Sequence, residues 1–395
     1  MSDRLRLVAL LAAITSLGPF AMQSLAPALP VVALSMAISV EEAQALLSLS
    51  VLAIGVATLL LGPLSDYFGR RPVALGAMAV AVVASIAVAF APTIETAMAA
   101  RFVQTGACGA GMVLSRAIAR DRFGQLGAGQ VIAQMTAVMV LVPMAAPAVG
   151  GVITAWFGWR AIFLFTAGFA ALVLAFASRG LAESIVHRAP SLGLGEIGRS
   201  FAAVGSRRRF WSYCIVATAS LSSFLFFVGT APHVAATGFG AGPEVYGLGF
   251  VFVGASYMGS NLLYARLSGR LGGDRMMLAG LVAATVCALA VWAAIVLGWR
   301  GLETVFAAAI LNGLGAGLIV PNAMAGAVSA YPERAGAASS LLGFCQFAFA
   351  AVVTQAGASL DHATAAQMSL GMGLLTAVGL GAHLALRRPV DRLRH

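Results

Sequence analysis

The chain reads Gly62-Pro63-Leu64-Ser65-Asp66-Tyr67-Phe68-Gly69-Arg70-Arg71-Pro72 between two apolar runs, Ala43 to Leu64 and Pro72 to Ala91. A helix needs roughly 20 mostly apolar residues to cross a bilayer, and both runs qualify. The quoted stretch is therefore a short charged turn between two membrane helices. Gly69 permits a tight reversal, and Arg70 and Arg71 fix the side of the membrane on which the turn lies. A degenerate copy stands farther along: Leu267, Ser268 and Gly272 match Leu64, Ser65 and Gly69, Arg270 and Arg275 keep the basic character, and Gly269 replaces the acid. One loop at the same place in each half of a chain is the mark of a duplicated membrane unit.

Outward from that loop the same length test finds six segments in the first half, Leu5 to Ala28, Ala43 to Leu64, Pro72 to Ala91, Ala97 to Ala117, Ala128 to Ala155 and Ala161 to Ser178. Six more follow: Phe210 to Ala231, Val245 to Leu267, Met276 to Leu297, Thr304 to Asn322, Ala335 to Ala358 and Ala365 to Leu386. The expected organisation is an all-α membrane protein of twelve transmembrane helices in two pseudo-symmetric six-helix bundles, over residues 1–179 and 210–395, joined by a linker over 180–209. Arg4 and Arg6 precede the first segment as they would a signal peptide, but the apolar run continues past Pro19 without a convincing cleavage site and reads as a membrane helix. Composition agrees, since 60% of residues are hydrophobic and only 10% charged, against about 25% charged in a soluble domain.

All 24 basic residues are arginine, and they lie in small groups between the apolar segments. That distribution serves topology rather than a nucleic-acid surface, and no nucleic-acid partner is expected. With both termini on the cytoplasmic side, 21 of the 24 fall on that side, and only Arg101, Arg160 and Arg300 do not. In the linker, Leu194, Ile197, Phe201 and Val204 recur at helical spacing before Arg207, Arg208 and Arg209, which fits an amphipathic helix on the leaflet surface or a solvated connector. The four cysteines lie singly in apolar runs, and no cluster has metal-ligand spacing, so neither a metal nor a disulfide is expected.

Polar side chains are costly in lipid, so their distribution marks the helices that face something wet. Segments 3, 6 and 9 hold no internal Asn, Gln, His or charged residue and are expected to face lipid. The others supply the candidate cavity and substrate residues Gln23, Arg101, Gln104, Ser222, Asn312 and Gln346, with Phe224, Phe227 and Phe347 as apolar lining. Arg101 lies about 22 Å from Arg116 along its helix, within the far half of the bilayer, where it needs a wet cavity or a partner, or snorkels to the surface. Pro143, Pro147, Gly150 and Gly151 in segment 5 combine helix kinks with small residues that allow close helix approach.

The loop Gly62 to Pro72 resembles the signature of the major facilitator superfamily, with Gly62, Asp66, Gly69, Arg70 and Arg71 as its conformational motif. Asp66 is expected to accept from backbone N–H groups at the start of segment 11, near Ala335. Arg101-Phe102-Val103-Gln104-Thr105-Gly106 resembles the superfamily's buried-arginine motif, and Ala146-Pro147-Ala148-Val149-Gly150-Gly151 is similar to that of its exporter branch, with Ala146 in place of the usual glycine. Ser115 to Asp121, Pro321 to Ala325 and Gly336 to Gly343 look like the bicyclomycin-resistance (Bcr/CflA) group of twelve-helix drug exporters. The resemblance implies a monomeric carrier, not an enzyme, in a bacterial inner membrane. It would export small organic molecules by alternating access and proton antiport, with the proton gradient in place of a cofactor. One residue departs from that pattern: Gln23 stands where the group has an aspartate, and glutamine cannot titrate. The remaining acids near segment ends, Glu41, Glu42, Glu244, Glu303 and Asp361, read as loop charges. Two alternatives are an uptake carrier of the same fold for a sugar or metabolite, and a membrane-embedded enzyme or signalling protein. The second is disfavoured because no metal cluster, paired acids or nucleophile with an intramembrane base is present in the sequence.

Overall fold

The computed structural model describes residues 3–185, 188, 194–329, 331–358 and 364–386, and among these it is helical with no strand. The chain forms two compact units, Met1–Leu192 with Gly240–Val251, and Gly193–Phe239 with Phe252–His395. The first contains α1 (Asp3–Gln23), a single 3-10 turn (Ala26–Ala28), α2 (Leu29–Met36), α3 (Val40–Phe68), α4 (Arg70–Ala89), α5 (Ile94–Phe157) and α6 (Arg160–Gly180). The second contains α7 (Leu194–Gly205), α8 (Arg208–Phe239), most of α9 (Pro243–Leu271), α10 (Gly273–Val296), α11 (Glu303–Ser329), a 3-10 turn (Pro332–Arg334), α12 (Ala335–Ala358) and α13 (Ala365–Leu386).

These elements make twelve membrane-crossing helices. The first crossing is α1 with α2, interrupted between Gln23 and Leu29. Segments 4 and 5 are both inside α5, whose 64 residues would run to about 96 Å if straight, three times the hydrocarbon thickness. The helix is instead broken at Gly124, which has φ 64° and ψ 179°. Local chemistry sets other boundaries. At the start of α3, Ser39 and Glu42 form a reciprocal capping box, with the Ser39 N–H donating to Glu42 Oε2 at 2.8 Å and the Glu42 N–H to Ser39 Oγ at 3.2 Å. The duplicated loop is visible in the backbone: Gly69 before α4 has φ 106° and ψ 150°, and Gly272 before α10 has φ 75° and ψ 146°. Both lie in the left-handed region that favours glycine.

Each unit has its own apolar core, built on Leu11, Leu17, Ala81, Leu114, Ile118 and Ala170 in the first, and on Phe210, Val216, Leu281, Ile319 and Leu342 in the second. Among nine apolar spans of the described residues, the first crossing, α8 and α11 are the most buried, whereas α4, α6 and α10, free of strongly polar internal residues, are among the less buried. By the same measure α12 is the least buried of these spans. Its inner face is a single stripe, Ala338, Leu342, Gln346, Ala350 and Thr354, repeating every fourth residue.

Candidate functional site

The break in the first crossing organises the polar interior of unit 1. Pro27 has no N–H to continue the α1 ladder, and α1 stops at Gln23. A helix end leaves carbonyls without partners. One of them, the Ala21 carbonyl, accepts a hydrogen bond from Nη2 of Arg101, a residue of α5 that is 1% exposed. Arg101 Nη1 donates to Gln104 Oε1 at 2.7 Å, and its guanidinium lies 5.2 Å from the Phe163 ring centroid on α6. Gln104 in turn donates to Ser85 Oγ on α4 at 2.7 Å, and Ser85 to the Ala81 carbonyl at 2.6 Å. The arginine is thus turned into the bundle, tied to helices α1, α4, α5 and α6. Beside the break, Gln23 Oε1 and Ser24 Oγ are buried and have no hydrogen-bond partner among the described residues, and Arg101 Nε is in the same condition.

The proline and glycine string of α5 meets this break. A Cβ at Gly150 would overlap the carbonyl oxygen of Ser24, so only glycine lets the α5 backbone sit on the interrupted helix. Gly151 and Gly247 make equally close approaches to Pro243 and to Pro147, all within unit 1 as its contacts define it.

In unit 2 one candidate residue, Asn312, belongs to a second polar knot. Asn312 on α11 donates to Ser223 Oγ on α8 at 3.0 Å, and Ser223 donates to the Met372 carbonyl of α13 at 3.1 Å. Ser222, its expected neighbour in the site, is fully buried with its hydroxyl unpartnered among the described residues. Phe227 is buried 6.4 Å from the Phe306 centroid, Gln346 is buried, and Phe224 and Phe347 are partly buried. Ser85 and Ser223 complete both networks, and Ser85 gives no signal in the sequence, because a serine on an apolar helix face does not announce its long-range partner.

The conformational motif is a cluster of charges at the arginine-rich end of unit 1. Asp66, 47% exposed, pairs with Arg70 four residues on, and Arg70 Nε also binds Asp121 Oδ2 at 3.1 Å. Arg71 Nη2 donates to the Ser178 carbonyl at 3.0 Å. Glu183, just past α6, is the functional candidate that the sequence did not reveal. Its carboxylate accepts the backbone N–H groups of Arg70 (3.0 Å), Arg71 (3.2 Å), Ser184 (2.8 Å) and Ile185 (3.1 Å). Partial burial pushes this carboxyl up, but those four donors outweigh it and hold it below its ordinary value. Gly69 has no side chain to cap α4, and Glu183 caps it from 113 residues away. The acids considered as loop charges occupy helix starts: Glu41 and Glu42 on α3, Glu244 on α9 and Glu303 on α11, where they complement the helix dipole. Asp361 lies outside the described residues.

A groove of about 570 Å³ between α4 and the start of α5 is lined by alanine and valine only and contains none of these residues. Among the described residues no group of three or more His, Cys, Asp or Glu is placed to hold a metal ion.

A multi-pass helical protein with a fixed arginine and unpaired hydrogen-bonding groups inside its bundles has the build of a membrane transporter. The chain belongs to the Major Facilitator Superfamily, whose family model matches residues 11–355. It is therefore a transporter of small molecules and not an enzyme. It is 27% identical over 376 residues to the bicyclomycin resistance protein homolog of Haemophilus influenzae, covering 94% of each chain. It is 25% identical to multidrug resistance protein D of Escherichia coli, covering 98% of this chain and 97% of that one. The fold also matches the crystal structure of the human organic anion transporter MFSD10, with a TM-score of 0.71 and 21% identity over 98% of this chain and all of the other.

Proposed function

We propose that the chain is a secondary active exporter of small organic molecules in a bacterial inner membrane, working by alternating access with both termini cytoplasmic and acting as a monomer. The observation that carries this reading is the interrupted first crossing: Arg101 holds the Ala21 carbonyl, Gly150 seats α5 on Ser24, and Gln23 Oε1 and Ser24 Oγ are left with unused hydrogen-bonding capacity. Discontinuous helices of this kind form substrate sites in secondary transporters. The fixed cation and the absence of a carboxylate among the residues of this knot favour a neutral, zwitterionic or anionic amphipath over a cation. The resistance proteins of similar sequence support export over uptake.

The energy source in this reading is the proton gradient. Gln23 cannot carry a proton, so coupling falls to a carboxylate elsewhere or to the substrate itself. Transport in proteoliposomes with and without an imposed pH gradient tests the proposal. Uphill movement that requires the gradient is expected, and movement indifferent to it removes proton antiport. An uptake carrier would instead raise the cell content of its substrate.

A further inference from the structure

Three arginines of unit 2 are held differently from Arg70 at the arginine-rich end of unit 1. There Arg70 is answered by Asp66 and Asp121. At the corresponding end of unit 2, Arg207 and Arg334 lie 5.2 and 5.9 Å from the centroid of one ring, Tyr331. Among the described residues neither has a carboxylate partner, and nor does Arg208. What holds them in place is neutral: Arg334 Nη1 donates to Ser200 Oγ on α7 at 3.0 Å, and Arg208 Nη2 to the Ala385 carbonyl of α13 at 3.1 Å. Each guanidinium has five N–H donors, so most of each fork is left for an outside acceptor. Holding like charges around one ring without neutralising them is unfavourable in the isolated protein and becomes favourable when an anion joins them.

The depth of the cluster identifies that anion. Phe210, the next residue but one after Arg208, is fully buried, and α8 continues apolar from there into the unit's core. Trp211, one residue farther, is 37% exposed, and its Nε1 donates to the Gly205 carbonyl at 2.7 Å. A tryptophan with an apolar body outward and a satisfied N–H is typical of the level where lipid headgroups meet the hydrocarbon. The amphipathic helix α7 lies at this level too, with Val204 buried in the core of unit 2 and Gly195, Gly198, Arg199 and Ala202 exposed. We propose that Arg207 and Arg334, which share the Tyr331 ring beside α7, together with Arg208 at the start of α8, bind the phosphate headgroup of an anionic phospholipid of the adjoining leaflet. A phosphate oxygen pair suits the guanidinium fork, and a net negative headgroup is selected because the ammonium of a zwitterionic one would face uncompensated arginines.

The test uses the full-length protein purified in a neutral detergent, with phosphatidylglycerol, phosphatidylethanolamine and inorganic phosphate as probes. Retained lipid is counted by native mass spectrometry, and thermal stability is followed during titration. Phosphatidylglycerol is expected to bind saturably and raise the melting temperature, whereas the other two probes do not at equal concentration. The triple variant Arg207→Gln/Arg208→Gln/Arg334→Gln should lose at least tenfold in affinity. A charge-matched control, Arg4→Gln/Arg6→Gln/Arg179→Gln, should not. If the triple variant fails to insert, Arg207→Lys/Arg334→Lys keeps the topology signal and should weaken binding severalfold by removing the forks. Equal loss in the control, equal binding of phosphatidylethanolamine, or an equal effect of free phosphate would each overturn the proposal, as would undiminished binding in both arginine variants.

Discussion

Removing the Glu183 carboxylate should loosen the start of α4 selectively. Helix caps are worth about 0.5–2 kcal/mol, and an anion at a helix N-terminus adds about 0.3–1 kcal/mol. Glu183 is only partly buried, and water screens it, so the lower part of the combined range, about 1–1.5 kcal/mol, is expected for Glu183→Ala. Glu183→Gln keeps an acceptor but loses the charge and should cost about half as much. The assay is amide hydrogen exchange of the purified protein. The N–H groups of Arg70 and Arg71 donate to this carboxylate, so both should exchange about tenfold faster in Glu183→Ala, with the core of α4 unchanged. The pH dependence has a definite sign. A carboxyl whose folded value is depressed contributes fully above its unfolded value near 4.5, and that contribution disappears as pH falls through the lower folded value. Protection at Arg70 and Arg71 should fall with acid in the parent, beyond the intrinsic change in exchange, and stay flat in Glu183→Gln. Exchange at these two amides within twofold of the parent in Glu183→Ala would refute the cap.

Four further outcomes follow from the same geometry. Arg101→Ala strips the Ala21 carbonyl and Gln104 of charged hydrogen bonds worth about 1.5–3 kcal/mol each, and should abolish transport while lowering thermal stability in purified protein. Gly150→Ala cannot be accommodated against the Ser24 carbonyl, whereas Gly168→Ala on α6 meets open space, so the first should lose stability and transport and the second neither. Asp66→Asn should slow transport several-fold at unchanged membrane insertion, measured by initial rates at matched protein level; unchanged rates would remove its conformational role. Gln23→Asp places a titratable group at the break and should make substrate binding pH-dependent in an equilibrium binding assay where the parent's is not.

Much of the fold is legible in the sequence, because apolar length and arginine position answer directly to the bilayer. The pairing of Gly69 with Gly272 is read from the repeated loop and recurs as matching positive-φ turns. Apolar windows alone misjudge the first crossing, since Leu5 to Ala28 merges a helix that ends at Gln23 with a turn, and α2 continues to Met36. The prolines Pro27 and Pro30 carry that information, but only the geometry says where the ladder stops. Arg101 with Gln104 is visible because the two lie one turn apart. Ser85 and Glu183 are not, because each gains its role from a partner on another helix, and a cap supplied across 113 residues has no local pattern.

Outward movement of small organic molecules is measured most directly by cell content. Cells overproducing the protein would be loaded with a panel of neutral, zwitterionic and anionic amphipaths and compared with cells making equal amounts of Arg101→Ala. The parent is expected to lower the content of at least one compound severalfold, with the difference removed when an uncoupler collapses the proton gradient. Content raised by the parent, or unchanged for every compound in the panel, would contradict export.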